Sequence, residues 1–482
     1  MIAAPSERSG QRSAAIAAAA AWFDRGSLLD ELAPRVAFRT ESQNPERADA
    51  LASYLRDEIG PGLARAGFTW SIWPNPAAGA PPLLFAERAE DRISPTVLIY
   101  GHGDVVAGYD AQWADGRSPW ELRVEDGRWY GRGTADNKGQ HTINLAAISR
   151  VIETRGRLGF NAKLLLEMGE EIGSPGLRET CQQRRDALAA DVLIASDGPR
   201  LKAGLPTIFL GSRGVFNFDL SVALRDGAHH SGNCGGLLAN PGTILANAIA
   251  SLVDARGRIL VDRLRPPPLP ESVKSALRGV EPGEPGGPPI DRDWGEPTLT
   301  PAERVFGWNA LEVLAFRTGN PERPVNAIPP RAIAHLQVRF VAGCDWREFI
   351  PALRGHLDER GMTMVEVRQA TMAPMAATRL DPDDPWVRWA SASITATVGA
   401  PPVILPNLGG ALPNDCFSAV LGLPTIWVPH SYPACSQHAP DEHMLAAVAR
   451  EGLQIMTGLF WDLGEPGTPA LRDGGSAAHG RM

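Results

Sequence analysis

The chain has 482 residues, enough for two domains or for one domain carrying a large insert. Its 44% hydrophobic and 21% charged residues suit a soluble globular protein. The formal net charge of -8, with no basic run, argues against a nucleic-acid partner, because phosphate binding needs clustered Lys and Arg. The five cysteines (Cys181, Cys234, Cys344, Cys416 and Cys435) are scattered and include no Cys-x-x-Cys pair, so neither a thiolate zinc site nor a disulfide framework is signalled and a reduced, cytoplasmic setting fits.

Along the chain, Ser13 to Phe23 reads as a first helix rather than a secretion signal, because it continues into an amphipathic stretch. No apolar run approaches the ~20 residues that would span a bilayer, so no membrane partner is expected. Short apolar strands then alternate with helices, the pattern of an α/β sheet. The strands that matter are TVLIY (Thr96 to Tyr100), AKLLLEM (Ala162 to Met168) and DVLIA (Asp191 to Ala195), with a helix predicted from Gln140 between the first two.

The middle of the chain changes character. FNFDLSVAL from Phe216 and AIAHLQVRFV from Ala332 predict strands of a second sheet, and GTILANAIASLVDA and WREFIPALRGHLDERG carry apolar residues at helical spacing. Two such strand–helix units predict an inserted α+β domain of ferredoxin-like form. Within it, Pro266 to Pro301 is dense in Pro and Gly and reads as a long surface excursion. The α/β style returns with PTIWV (Pro424 to Val428) and a final helix around Met444 to Leu459. The resulting division is a catalytic domain at 1–212 and 379–463, an inserted domain at 213–378, and a tail at 464–482 expected to be disordered.

Clusters of metal-type side chains follow these strands. TVLIY runs into His102 and Asp104, AKLLLEM into Glu170 and Glu171, DVLIA into Asp197, and PTIWV leads after a loop to His438. Asp136 is a fifth candidate, in a Gly-rich loop just before a helix. Ligands of open α/β sheets bind beyond the carboxyl ends of the strands, so these clusters should converge. Taken singly, a His-x-Asp or Glu-Glu pair is commonly a surface or capping feature; the shared placement after buried strands is what marks them. Two His with several carboxylates and no thiolate suit Zn²⁺, with Mn²⁺ or Co²⁺ as alternatives.

The motifs VLIYGHGDVV, GRGTADNKG, EMGEEIGSPG, ASDGP and HAPDEH resemble, in order, those of the co-catalytic zinc metallopeptidase family of carnosinase-like dipeptidases, aminoacylases, acetylornithine deacetylases and succinyl-diaminopimelate desuccinylases. The resemblance implies a zinc-peptidase-like catalytic domain, with a mixed central sheet flanked by helices, and an inserted lid and dimerisation domain. It implies two divalent metal ions per subunit bridged by Asp136, one also held by His438 and Glu171, the other by His102 and Asp197. Asp104 would orient His102, and Glu170 would be the general base toward a metal-bridging water. The peptide bond after Asp136 would be cis.

The same resemblance gives His230, in GAHHSGNCGG, as an oxyanion donor reaching into the partner of a homodimer, with His229 as the alternative. It gives Arg339 as the group holding a substrate carboxylate, and Gly409 and Gly410 as part of a loop binding substrate backbone. Asp at 197 and the His-Ser-Gly segment favour the dipeptidase branch and a dipeptide-like substrate. GHGDVV in place of the more usual GHYDV, and the excursion at Pro266 to Pro301, depart from that branch and keep an N-acyl-amino-acid deacylase in view. A non-catalytic metal-binding relative is the reading from another class, disfavoured because all seven inner residues are present.

Overall fold

The structure is a computed structural model that describes residues 5–469 apart from 115 and 284–286, with side chains from residue 10 onward. The strands used below are β1 (Thr69–Trp73), β2 (Leu83–Arg88), β3 (Thr96–His102), β4 (Asn161–Glu167), β5 (Val192–Ala195), β6 (Thr207–Phe209), β7 (Gly214–Ala223), β8 (Ala310–Thr318), β9 (Arg331–Phe340), β10 (Glu366–Gln369), β11 (Val403–Leu405) and β12 (Thr425–Trp427). Eight of them form one mixed sheet in the order β1-β2-β4-β3-β5-β12-β6-β11. The inner pairs β4–β3, β3–β5 and β5–β12 are parallel.

These central strands read as continuous apolar runs because both their faces are covered. Val97, Ile99, Leu164, Leu166, Val192 and Ile194 point into a core closed by the helices Lys138–Arg155, Ala446–Leu463 and Pro5–Asp24. Leu98, Tyr100, Leu165, Leu193 and Ala195 point into a second core on the opposite face. The predicted first helix lies within Pro5–Asp24, and its Ala15, Ala19 and Trp22 are buried. Among the described residues, no helix is long and apolar enough to cross a membrane.

The inserted sheet runs in the order β8-β9-β7-β10, antiparallel throughout. With the helices Pro241–Leu252 and Phe349–Glu359 between its strands, the sequence of elements is β-α-β-β-α-β, the ferredoxin-like arrangement. Alternation along β7 and β9 sends Phe216, Phe218, Leu220, Leu336, Val338 and Phe340 against the two helices. The other face carries Asn217, Gln337 and Arg339 toward the catalytic sheet's loops, where they line a shared cavity. Edge strand β8 exposes Val313, Leu314 and Phe316.

Two sequence expectations need correction. Met444 does not begin the final helix: it is the middle residue of a strand, His443–Leu445, that pairs with Arg128–Tyr130, and the helix starts at Ala446. The Pro/Gly-rich stretch is not a simple surface excursion. Its Leu269, Val273 and Leu277, with Ala302 and Phe306 just beyond, insert into the second core beside Phe209, Leu405 and Leu408. Sparse apolar residues among prolines gave no period to read, yet these five find buried seats while Ile290 and Trp294 stay exposed. Of the tail expected to be disordered, residues 470–482 lie outside the described residues.

Candidate metal centre

The parallel strands deliver their carboxyl ends to one place. His102 is the last residue of β3, the turn Glu170–Ile172 follows β4, and Asp197 lies two residues beyond β5. Asp136 enters from the loop before the helix Lys138–Arg155 and is followed by a cis peptide bond to Asn137. That helix starts directly beneath the loop: a Cβ at Gly139 would stand 1.9 Å from the Thr134 carbonyl oxygen, so only glycine lets the two pack.

Asp136 stands between two groups of ligand atoms. Its Oδ1 is 3.0 Å from His102 Nε2, which is 3.6 Å from Asp197 Oδ2. Its Oδ2 is 3.0 Å from His438 Nε2, which is 3.1 Å from Glu171 Oε2. Within each triad the ligand atoms lie within 4.8 Å of one another. The His102 side is closed to solvent, whereas the His438 side chain is 52% exposed.

The residues present fit two divalent cations. Asp197 Oδ2 is fully buried and has no hydrogen-bond donor. Burial pushes Asp197 up to about 6 and Glu171 up to about 7, with the Asp136 charge adding to both. Burial also raises Glu170 well above the ordinary carboxylate range, against His102 and with the help of Asp197, Glu171 and Asp136. Asp136 is held low, because hydrogen bonds to His102 and His438 outweigh its burial. Carboxylates this crowded and this dry repel one another until cations stand among them. Hard oxygen and imidazole donors without thiolate suit Zn²⁺, Mn²⁺ or Co²⁺ chemistry.

Asp104 does two things. His102 Nδ1 lies 3.1 Å from the Asp104 backbone carbonyl oxygen and 3.3 Å from its Oδ1, which together fix the ring so that Nε2 faces Asp136. The two Asp104 carboxylate oxygens also accept from the backbone N–H groups of Glu170, at 3.2 Å, and Glu171, at 3.1 Å. Gly103 beside it answers the GHGDVV departure: a Cβ there would stand 2.4 Å from the Tyr54 ring.

Glu442 and Arg132 are the residues that sequence reasoning passed over. The Glu442 carboxylate accepts from the backbone N–H groups of Gly133 and Ala135, each at 3.0 Å, and of Asp136 at 3.1 Å. Its other oxygen pairs with Arg132 Nη1 at 2.6 Å, and both side chains are 1% exposed. This clamp fixes the loop that presents Asp136. The signal was on view, since Glu442 belongs to HAPDEH and Arg132 to GRGTADNKG, but neither has a ligand-like role. Gln437 Nε2 also donates to Asp136 Oδ2.

A cavity of about 640 Å³ opens over the cluster and is lined by Asp136, Glu170, Asp197, His438, Arg339, Gly409 and Gly410 among others. His230 is exposed in a short strand, His229–His230, paired with Ala327–Ile328, and does not line that cavity. The histidines given no site role, His141, His335, His356, His430 and His443, stay outside both triads, and His479 lies outside the described residues.

Residues 98–462 match Peptidase family M20/M25/M40. A cysteinylglycine-S-conjugate dipeptidase of Corynebacterium striatum is 25% identical over 412 residues, covering 81% of this chain and 85% of that one. The Beta-Ala-His dipeptidase of Mus musculus is 36% identical over 207 residues, or 42% of each chain. Among solved structures, human carnosine dipeptidase 1 superposes with a TM-score of 0.73 at 22% identity, covering 94% of this chain and 99% of that one. The dipeptidase Dug1p of Saccharomyces cerevisiae gives 0.75 at 20% identity, over 93% and 98%.

Proposed function

The chain belongs to peptidase family M20/M25/M40 and is a dinuclear metallopeptidase, and we propose that its substrate is a dipeptide with a free α-carboxylate. The observation that carries this reading is the charge layout of the cavity, with a carboxylate-rich metal cluster at one end and Arg339 on the lid. Arg339 is part-buried, its Nε donates to Gln337 Oε1 at 2.9 Å, and no acidic side chain pairs with it among the described residues. Burial alone lowers its pKa, so a substrate carboxylate would relieve an uncompensated cation. Its Nε is already engaged, which leaves the two terminal nitrogens for a forked contact. The dipeptidases among the relatives support the same substrate class.

On this reading, His102, Asp197 and Asp136 hold one ion and His438, Glu171 and Asp136 the other, with zinc the ion that suits this donor set. Bound ions would supply Lewis acidity, polarising the scissile carbonyl and lowering the pKa of water. Glu170 takes the proton of the attacking water and passes it to the leaving amine, for which its burial-raised proton affinity is suited. Asp104 holds the backbone of Glu170 and the ring of His102 in one register. Gly409 and Gly410 present backbone to the substrate.

Residues 1–212 with 379–463 form the catalytic unit in this scheme, and 213–378 the lid. His230 serves as oxyanion donor from a second copy, since its own chain leaves it at the surface, and the exposed apolar residues of β8 support a homodimer. Five free cysteines, three of them buried, accord with a reducing cytoplasm. The test is a panel of dipeptides and N-acyl amino acids with Zn²⁺, Mn²⁺ and Co²⁺. Dipeptides should show the higher kcat/KM; faster cleavage of N-acyl amino acids overturns the assignment.

A further inference from the structure

The surface running from the metal cluster toward Arg339 is apolar, and part of it comes from the helix just beyond the Pro/Gly-rich segment. A Cβ built on Gly198, next to Asp197, would stand 3.1 Å from both δ-carbons of Leu408. A Cβ on Gly409 would stand 3.7 Å from Val305 and 4.0 Å from Phe306. The Leu408 and Gly410 carbonyls accept from Arg213 N, and the Arg213 guanidinium donates to the Arg339 carbonyl at 3.1 Å. Val215 faces Arg339 directly across the strand pair. Leu408, Val305, Phe306 and Val215 therefore line the path between the reacting centre and the carboxylate site.

Val305 and Phe306 sit on the helix Pro301–Phe306, whose N-terminus is closed by a capping box between Thr300 and Glu303. Phe306 is anchored in the second core with Leu269, Val273 and Leu277. The wall is thus built on fixed structure. Among the described residues it offers no acid to a basic side chain: the carboxylates lining the cavity are Asp136, Glu170 and Asp197. The other lining arginine, Arg200, is 1% exposed and pairs with Glu451.

We propose that this wall receives the side chain of the carboxy-terminal residue, so that the enzyme selects dipeptides ending in a large apolar residue. The proposal rests on the dipeptidase reading above, with Arg339 on the substrate carboxylate. A side chain spanning that path removes apolar surface from water on both partners, whereas glycine leaves the wall wet and lysine buries an unpaired ammonium. Filling a pocket of this kind with a leucine side chain corresponds to about 10- to 100-fold in kcat/KM over glycine.

The metal-loaded full chain should be assayed with Ala-Leu, Ala-Phe, Ala-Gly, Ala-Lys, Cys-Gly and β-Ala-His. Ala-Leu and Ala-Phe are expected to exceed the rest by at least about 10-fold. Val305→Asp should collapse the Ala-Leu to Ala-Gly ratio, and Val305→Ile should preserve it. Val305→Thr, close to valine in shape, covers the case in which the aspartate variant does not fold, and should lower the ratio part-way. A flat or glycine-favouring profile, or a ratio that Val305→Asp and Val305→Thr leave unmoved, overturns the wall and leaves the dipeptidase reading standing. Absence of cleavage of every dipeptide overturns both.

Discussion

Replacing Glu442 by Gln isolates one charge at the clamp beneath Asp136. The side chain keeps its length, and its one remaining oxygen can still accept from the Gly133, Ala135 and Asp136 amides. Its new NH2 group then faces Arg132 Nη1, donor against donor, where the carboxylate had stood 2.6 Å away. Arg132 is left with the Ala107 carbonyl at 3.0 Å, its Nε has no partner, and the side chain is 1% exposed. An ion pair at this depth gains little over an apolar pair, as burial raising the Glu442 pKa indicates. Losing one partner of it is expensive, about 3–5 kcal/mol. Urea unfolding of metal-stripped protein should show the midpoint falling by roughly 1 M or more, at an m-value of ~1–3 kcal/mol per M. Adding Arg132→Met should recover most of the loss, since it removes the stranded cation. An unchanged midpoint in the single variant, or further loss in the double, would refute the reasoning.

Other expectations follow from the same geometry. Glu170→Gln should lower kcat by about 10²- to 10⁴-fold while metal stoichiometry, read by atomic absorption, stays at the wild-type value. Asp104→Ala should weaken metal binding by about 10- to 100-fold in calorimetric titration, because it removes one of the two acceptors on His102 Nδ1 and frees the Glu170–Glu171 turn. Gln337→Leu removes the acceptor that holds Arg339 Nε and should raise KM for dipeptides with a free carboxylate but not for their amides. His430 is fully buried, and burial, then Arg200, holds its pKa well below the ordinary value. A depressed folded pKa means that the neutral ring's contribution is complete above the unfolded value of ~6.5 and is lost as pH falls toward the folded one. His430→Asn should therefore flatten the decline in Tm between pH 7 and 5 relative to wild type.

The sequence made the ends of β3, β4 and β5 legible because both-face burial writes an uninterrupted apolar run, and the polar residues that follow it break the pattern abruptly. His102, Glu170, Glu171 and Asp197 stand at those breaks. Asp136 and His438 lie in loops, where no period exists; their placement made them candidates, but their roles as ligands came only from motif resemblance. The Glu442–Arg132 clamp was hidden because it touches backbone: its partners are amide protons that every sequence has. The packing of Leu269, Val273 and Phe306 was hidden by composition, since prolines around them imitate a solvated loop. Met444 was misread because two strand residues ahead of a helix share its apolar character.

The distance along the chain between the parts of this centre has a consequence for biogenesis. Asp136 is separated by 302 residues from His438 and by 306 from Glu442. The insert, β11 and β12 all have to be made before either contact can form. A chain emerging from the ribosome therefore passes most of its synthesis with one triad lacking its imidazole and with the Asp136 loop unclamped. The triad of His102, Asp136 and Asp197 is complete once residue 197 is made, whereas the other waits for His438, so one half of the centre can assemble long before its neighbour.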